Sequence, residues 1–182
     1  MGLLSDRRPN GLEARKALWI GGAAVFALPV IAALLSREMN WSLGDFAVFG
    51  VMVFGVCALY ELAMRVSSNR HYRFGFAIAL FGMFVLVFVN LAVGVIGDEG
   101  NPANLAFFAI PLVGVVGALG SRLAPRGLAR TSYVMAALQV AASLLAPPSD
   151  FWLMVWVTAV FTALWLAAAQ AFSAAARDAH TG

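Results

Sequence analysis

Long runs of residues with almost no charge recur along this chain, and they limit the folds open to it more than any other feature. The runs are about 18–26 residues long, which is the length that an α-helix needs to cross roughly 30 Å of hydrocarbon. Of all residues, 62% are apolar and 12% are charged, whereas soluble domains are close to half apolar and a quarter charged. Because the runs do not alternate with polar residues, they indicate membrane-spanning helices rather than the strands of a β-barrel.

The apolar runs predict an all-α fold, a polytopic membrane protein with a six-transmembrane-helix bundle. Little sequence remains outside the runs, so we expect one membrane domain, residues 17–176, between a head of residues 1–16 and a tail of residues 177–182. The six predicted helices are Ala17–Leu35, Leu43–Val66, Phe74–Ile96, Leu105–Arg122, Leu128–Ala146 and Phe151–Ala176.

The basic residues fall almost entirely on one side of the six predicted helices. Of the 12 Lys and Arg residues, 11 lie in the head, in the tail, or in and next to the loops that join helices 2 and 3 and helices 4 and 5, and only Arg37 lies on the other side. Basic loops stay in the cytoplasm during insertion. The sequence therefore predicts that both termini are cytoplasmic. Topology and contact with anionic lipid account for the pI near 9.6, so no nucleic-acid partner is predicted.

Each helix that starts on the less basic side is preceded by residues that favour a helix N-terminus. Asp, Asn and Ser side chains accept hydrogen bonds from the free N–H groups of a first turn, and Pro fits the first helical position. These predicted caps are Ser42 with Asp45, Asn101 with Pro102, and Ser149 with Asp150.

Few polar residues lie inside the predicted spans. Glu61 and Arg65 are one turn apart in helix 2, and this spacing predicts an ion pair near the inner boundary. Gln139 is the strongest polar side chain near the middle of a span, and Thr158 and Thr162 share one face of helix 6. We expect Gln139, Thr158 and Thr162 to form hydrogen bonds between helices.

Small residues four apart in helix 4 predict that a neighbouring helix approaches closely. The pairs are Gly114 with Ala118 and Gly117 with Ser121. The sequence does not indicate whether the neighbour belongs to the same chain. The single cysteine, Cys57, lies inside helix 2 and is expected to be a small core residue.

The densest polar group joins helix 3 to helix 4, in residues 90–104. Asn90, Gly94 and Gly97 are predicted to share one face of helix 3. Carboxylates and amides are ligands of hard cations, and a glycine-flanked loop at a helix N-terminus can bind anions. The alternative is a tight polar turn whose side chains cap helix ends. The candidate residues for a ligand or partner are Asn90, Asp98, Glu99, Asn101, Asn104 and, in helix 5, Gln139.

The same residues carry a resemblance. The stretch Asn-Leu-Ala-Val-Gly followed by an acidic Asn-Pro-Ala-Asn turn resembles a pattern in small uncharacterised multi-pass proteins of bacterial inner membranes. It covers residues 90–104 of the 182 residues. The resemblance implies a location in a bacterial inner membrane and no particular activity.

Enzymatic signals are weak in this sequence. The two His residues, His71 and His180, are far apart, and the chain contains no H-E-x-x-H, G-x-S-x-G or P-loop motif. No metal or other cofactor is predicted.

Three functions are considered. The first is a non-enzymatic structural or accessory subunit or an assembly factor, with a membrane-protein partner or a second copy of the chain. The second is a small transporter or channel for a neutral or weakly polar solute. The third is a lipid-active enzyme at the inner face that uses Glu61, His71 and nearby arginines.

Overall fold

The computed structural model describes residues 11–36, 41–98 and 100–181, and this part of the chain is helical throughout apart from its short connections. Most of the predicted head, together with Arg37, lies outside the described residues. The six α-helices are α1 (Gly11–Leu35), α2 (Leu43–Val66), α3 (Arg70–Ala92), α4 (Leu105–Gly120), α5 (Pro125–Ser143) and α6 (Phe151–Thr181), with short 3-10 turns at Pro102–Asn104 and Pro148–Asp150.

The start of α2 shows why its predicted bounds are correct. The Asp45 carboxylate accepts a hydrogen bond from the Ser42 backbone N–H at 2.7 Å, and the Ser42 hydroxyl oxygen accepts one from the Asp45 N–H at 3.3 Å. This reciprocal pair satisfies N–H groups that the first turn leaves free. The predicted cap is therefore confirmed.

Other helix ends differ from the prediction. α3 begins at Arg70 because the Asn69 side chain caps it, accepting from the Tyr72 N–H at 3.1 Å. The predicted cap formed by Ser149 and Asp150 is wrong. The Ser149 hydroxyl donates to the Asp150 carboxylate at 3.1 Å, and the N-cap residue of the 3-10 turn is Pro147, which makes no side-chain hydrogen bond.

Five of the described helices are long and apolar enough to cross a membrane, which makes this a multi-pass membrane protein. They are α1, α2, α3, α4 with its preceding turn, and α6. α5 is not among them by composition, because its 19 residues include two arginines and several polar side chains.

The described residues divide into two compact units, one ending at Leu62 and one beginning at Ala63. In the first unit, aromatic rings join α1 to α2. Phe26 lies 6.3 Å from Phe49 and 5.5 Å from Phe54, measured between ring centroids. The buried Cys57 thiol lies so close to Gly22 that a Cβ added there would come within 2.5 Å of the sulfur. Cys57 is thus a small core residue, as predicted.

The second unit packs α3, α4, α5 and α6 around a buried aromatic and aliphatic core. Gly75 and Gly82 of α3 lie directly against the rings of Phe172 and Trp165 of α6, since an added Cβ would come within 2.9 Å and 2.8 Å of ring atoms. Lipid is as apolar as these side chains, so close packing rather than burial from water favours helix association here. The fully buried Trp165 marks the centre of this core.

The small residues of α4 have the predicted role. A side chain at Gly117 would overlap Thr131 of α5, and one at Gly114 would overlap Met83 of α3 and approach Met135 of α5. The close neighbours of α4 therefore belong to the same chain.

Candidate functional site

Residues 93–104 form the connection between α3 and α4, called here the α3–α4 turn. α3 ends at Ala92, and Gly94 and Gly97 follow with φ of +74° and +66°. This conformation folds the chain back and is strained for residues with a side chain. The prediction that Asn90, Gly94 and Gly97 share a face of helix 3 is wrong, because the helix ends before either glycine.

Asn104 holds the α3–α4 turn together. Its amide oxygen accepts hydrogen bonds from the backbone N–H groups of Val95 at 3.0 Å and Ile96 at 2.8 Å. Its amide nitrogen donates to the carbonyl oxygens of Ile96 at 3.2 Å and Asp98 at 2.7 Å. Both lone pairs and both N–H groups of the amide are thereby used. With 2% of its surface exposed, Asn104 has no capacity left for a ligand.

Asn90 extends this network into α3. Its amide nitrogen donates to the Asn104 carbonyl oxygen at 2.9 Å, and the side chain is 2% exposed. Its amide oxygen is buried and has no hydrogen-bond partner among the described residues. Asn90 therefore contributes one structural bond and carries one unsatisfied acceptor.

The remaining polar residues of the turn also bond to its own backbone. The Asn101 side chain accepts from the Ala103 N–H at 2.9 Å and caps the 3-10 turn that leads into α4, as predicted. The exposed Asp98 carboxylate accepts from the Gly100 N–H at 3.1 Å. Glu99 lies outside the described residues. Within those residues, no three His, Cys, Asp or Glu side chains are grouped closely enough to hold a metal ion.

Gln139 lies apart from the turn, in the contact between α5 and α6. It is fully buried, and its amide oxygen accepts from the Trp165 indole N–H at 3.5 Å, a long hydrogen bond. The Gln139 amide nitrogen and the hydroxyl oxygens of Thr158 and Thr162 are buried without a partner among the described residues. The predicted interhelical bonding is thus present for Gln139 alone. Thr158 and Thr162 also line an apolar groove of about 550 Å³ between α5 and α6.

Glu61 has partners that the sequence did not reveal. In the first unit, its two carboxylate oxygens accept from the Arg15 guanidinium and from the Trp19 indole N–H, the latter at 2.6 Å. Both partners lie on α1, more than forty positions earlier in the chain. A spacing rule within one helix detects Arg65 as a neighbour of Glu61 but cannot detect residues of another helix.

His71 is bound near the end of α6 in the second unit. Its Nδ1 lies 3.0 Å from the Asp178 carboxylate, which also accepts from the Asn69 side chain at 2.8 Å. The three residues join the N-terminus of α3 to the last turns of α6. The sequence predicts that helix 6 ends at Ala176 and that Asp178 lies in the tail. In the structure α6 continues to Thr181, and this continuation brings Asp178 to His71.

Comparison with known proteins adds no assignment: no protein family matches this chain, and neither a curated protein nor a solved structure is similar to it. The resemblance of residues 90–104 stays a prediction.

Proposed function

We propose that this protein is a structural or accessory subunit, or an assembly factor, of a bacterial inner membrane, and that it acts through a membrane-embedded partner or a second copy rather than by catalysis. One observation supports this most. The α3–α4 turn is the densest polar group in the sequence, and its described polar side chains bond mainly to the backbone of the turn itself, with Asn104 as the fully bonded centre. A ligand site would be expected to leave several convergent polar groups open.

The proposal includes six spans. α5 has 19 residues and is about 28 Å long, close to the roughly 30 Å of hydrocarbon. Arg126 near its start and Arg177 near the end of α6 line one pocket, while Ser143 at its end and Phe151 at the start of α6 line another. The two helices therefore run antiparallel along the length of α5. Since α6 is long and apolar enough to cross the membrane, a helix packed along it in this way crosses as well.

Six crossings place both termini on one side, and the distribution of basic residues makes that side the cytoplasm. Exposed Trp152 and Trp156 near the start of α6 fit the opposite interface, where aromatic side chains concentrate.

Topology can be tested with single cysteines, because Cys57 is the only natural one. In a Cys57→Ala background, a membrane-impermeant maleimide applied to spheroplasts should label Gly100→Cys and Leu145→Cys but not Ser68→Cys. Lysis should expose Ser68→Cys. Labelling of Ser68→Cys and Leu145→Cys from the same side would show that α5 does not cross.

The accessory role can be tested by purification in a mild detergent after crosslinking in cells. A stable partner or a defined oligomer is expected. Recovery of monomer alone, from cells at native expression level and with an intact fold, would overturn the role.

A second function, passage of a neutral or weakly polar solute, is favoured by the unpaired polar atoms of Gln139, Thr158 and Thr162. Buried groups of this kind are costly in an apolar interior unless something bonds to them. Flux into liposomes should then fall in Gln139→Leu and Thr162→Val, while Ser149→Ala serves as a control. Equal flux in all three proteins would exclude this route.

A further inference from the structure

A basic pocket lies where the N-terminal part of α5 meets the C-terminal part of α6. Its volume is about 320 Å³, and it is open to the surface. Its polar lining consists of Arg126, Arg130 and Tyr133 of α5 and Ser173 and Arg177 of α6. These five residues are called the basic pocket below.

The spacing of these residues brings them together. Arg126 and Arg130 are one turn apart on α5, and Tyr133 is one turn further on the same face. Ser173 and Arg177 are one turn apart on α6. The two helix faces meet in the basic pocket, so three arginine side chains line one small volume.

None of the three arginines forms a salt bridge within the part of the chain that the structure describes. Asp178 follows Arg177 directly, and the charges of the two side chains attract each other. The Asp178 carboxylate contacts the side chains of Asn69 and His71, however, and makes no salt bridge to Arg177. Three like charges close together repel one another, and a bound anion relieves this repulsion.

The start of α5 adds positive potential. The N-terminus of a helix carries a partial positive charge and unpaired N–H groups, which favour acidic residues there. α5 has no acidic residue in its first turn, its N-cap residue Ala124 makes no side-chain hydrogen bond, and Arg126 lies in that turn. This arrangement opposes the usual preference of a helix start and suits a site for an anion.

The donors also match one chemistry. A guanidinium group presents a planar pair of N–H groups that fits two oxygens of a phosphate. Tyr133 is 48% exposed, and its hydroxyl makes no hydrogen bond within the described residues. The Ser173 hydroxyl donates to the Ala169 carbonyl at 2.8 Å, so its oxygen remains an acceptor. The arginines and Tyr133 are the donors.

We propose that the basic pocket binds a phosphate group, carried either by the headgroup of an anionic lipid or by a soluble phosphate compound. This site is independent of the accessory role. Its position at the ends of α5 and α6, with the arginine side chains exposed, places the phosphate at the boundary of the membrane where lipid headgroups lie.

The test uses the full chain in detergent, with lipid retention read by native mass spectrometry. One arm supplies phosphatidylglycerol against phosphatidylcholine, and the other supplies inorganic phosphate against chloride. The test variant is Arg130→Gln with Arg177→Gln. The matched control is Arg70→Gln with Arg65→Gln, which removes the same charge outside the basic pocket. Circular dichroism and elution volume verify the fold of each variant.

We expect the pocket variant to lose affinity for the phosphate-bearing probe by about tenfold or more, and the control variant to keep it. A single Arg177→Lys variant should keep only part of the affinity of the natural chain, because the ammonium group of lysine lacks the planar pair of donors. Retention of phosphatidylglycerol that inorganic phosphate does not displace identifies a lipid site, and displacement identifies a soluble phosphate. Equal losses in the pocket and control variants would overturn the proposal. So would a natural chain that prefers neither phosphatidylglycerol, whose phosphate carries a net charge, over zwitterionic phosphatidylcholine nor inorganic phosphate over chloride.

Discussion

The α3–α4 turn and the basic pocket are both polar groups at helix ends, but they differ in how many of their side-chain donors and acceptors already have hydrogen-bond partners. In the turn, Asn104 makes four hydrogen bonds to backbone and is buried. In the basic pocket, three arginines line about 320 Å³, and none of them forms a salt bridge within the described residues. The turn has the richer sequence pattern, yet the basic pocket has the open binding capacity. Whether polar groups are already satisfied tells more about binding than how many there are.

If the turn is structural, the largest loss of stability should come from Asn104→Ala. The change leaves the buried N–H groups of Val95 and Ile96 without an acceptor, at about 1–3 kcal/mol for each buried group. We expect a total of about 3 kcal/mol or more in the free energy of unfolding, measured by thermal or SDS-induced unfolding in detergent. An Asn104→Ala protein as stable as the natural chain would contradict a structural role for the hydrogen bonds of Asn104.

The next largest effect is expected from Gly94→Ala. The residue has φ of +74°, and an added Cβ would overlap the Asp98 carbonyl. The left-handed conformation alone costs a residue with a side chain about 1–2 kcal/mol, and the overlap adds to this. Gly55→Ala in α2 is the matched control, since nothing lies within 4 Å of its added Cβ; it should be neutral or slightly stabilising. Similar unfolding curves for the two variants would contradict the described turn.

A smaller effect is expected from Asn90→Leu. The substitution removes one hydrogen bond to Asn104 but also removes a buried acceptor without a described partner. The two contributions oppose each other, so the free energy of unfolding should change by about 1 kcal/mol or less. A loss as large as that of Asn104→Ala would indicate that the Asn90 amide oxygen has a partner, such as a buried water or a ligand.

The smallest effect on stability is expected in the basic pocket. Arg177→Gln removes an exposed charge from a group of like charges. Without added phosphate or anionic lipid, the free energy of unfolding should therefore stay within about 0.5 kcal/mol of that of the natural chain, or rise. Thermal unfolding in neutral detergent measures this. A clear destabilisation would mean that Arg177 has a structural contact. The basic pocket would then contribute to stability, as the α3–α4 turn does.

Particular helices show which features of the fold could be predicted from the sequence. α2 was predicted to the residue because its start depends on Ser42 and Asp45, which are neighbours in the chain. α3 was predicted to end too late, because apolar residues continue past Ala92 and glycine is tolerated in membrane helices. The reason for its end is the bonding of Val95 and Ile96 to Asn104, a contact that depends on the folded turn.

For the candidate site residues too, local features could be predicted from the sequence and long-range contacts could not. The sequence identified Asn90, Asn101 and Asn104 as a polar group, and Asn101 as a cap, because composition and nearest-neighbour spacing are local. It did not separate a ligand site from a self-bonded turn, since that depends on which donors and acceptors remain open. Nor did it pair Arg126 with Arg177, which are 51 positions apart and meet only when α5 packs against α6.

The sequence by itself determined the class of this protein. Lipid cannot bond to free backbone groups, so long uncharged runs must be helices. The tertiary structure decided what the polar residues do, through the partners of Glu61, the bonding of Asn104 and the grouping of three arginines. Helices in lipid associate by close contacts between particular side chains, and such contacts join residues that are distant in the chain.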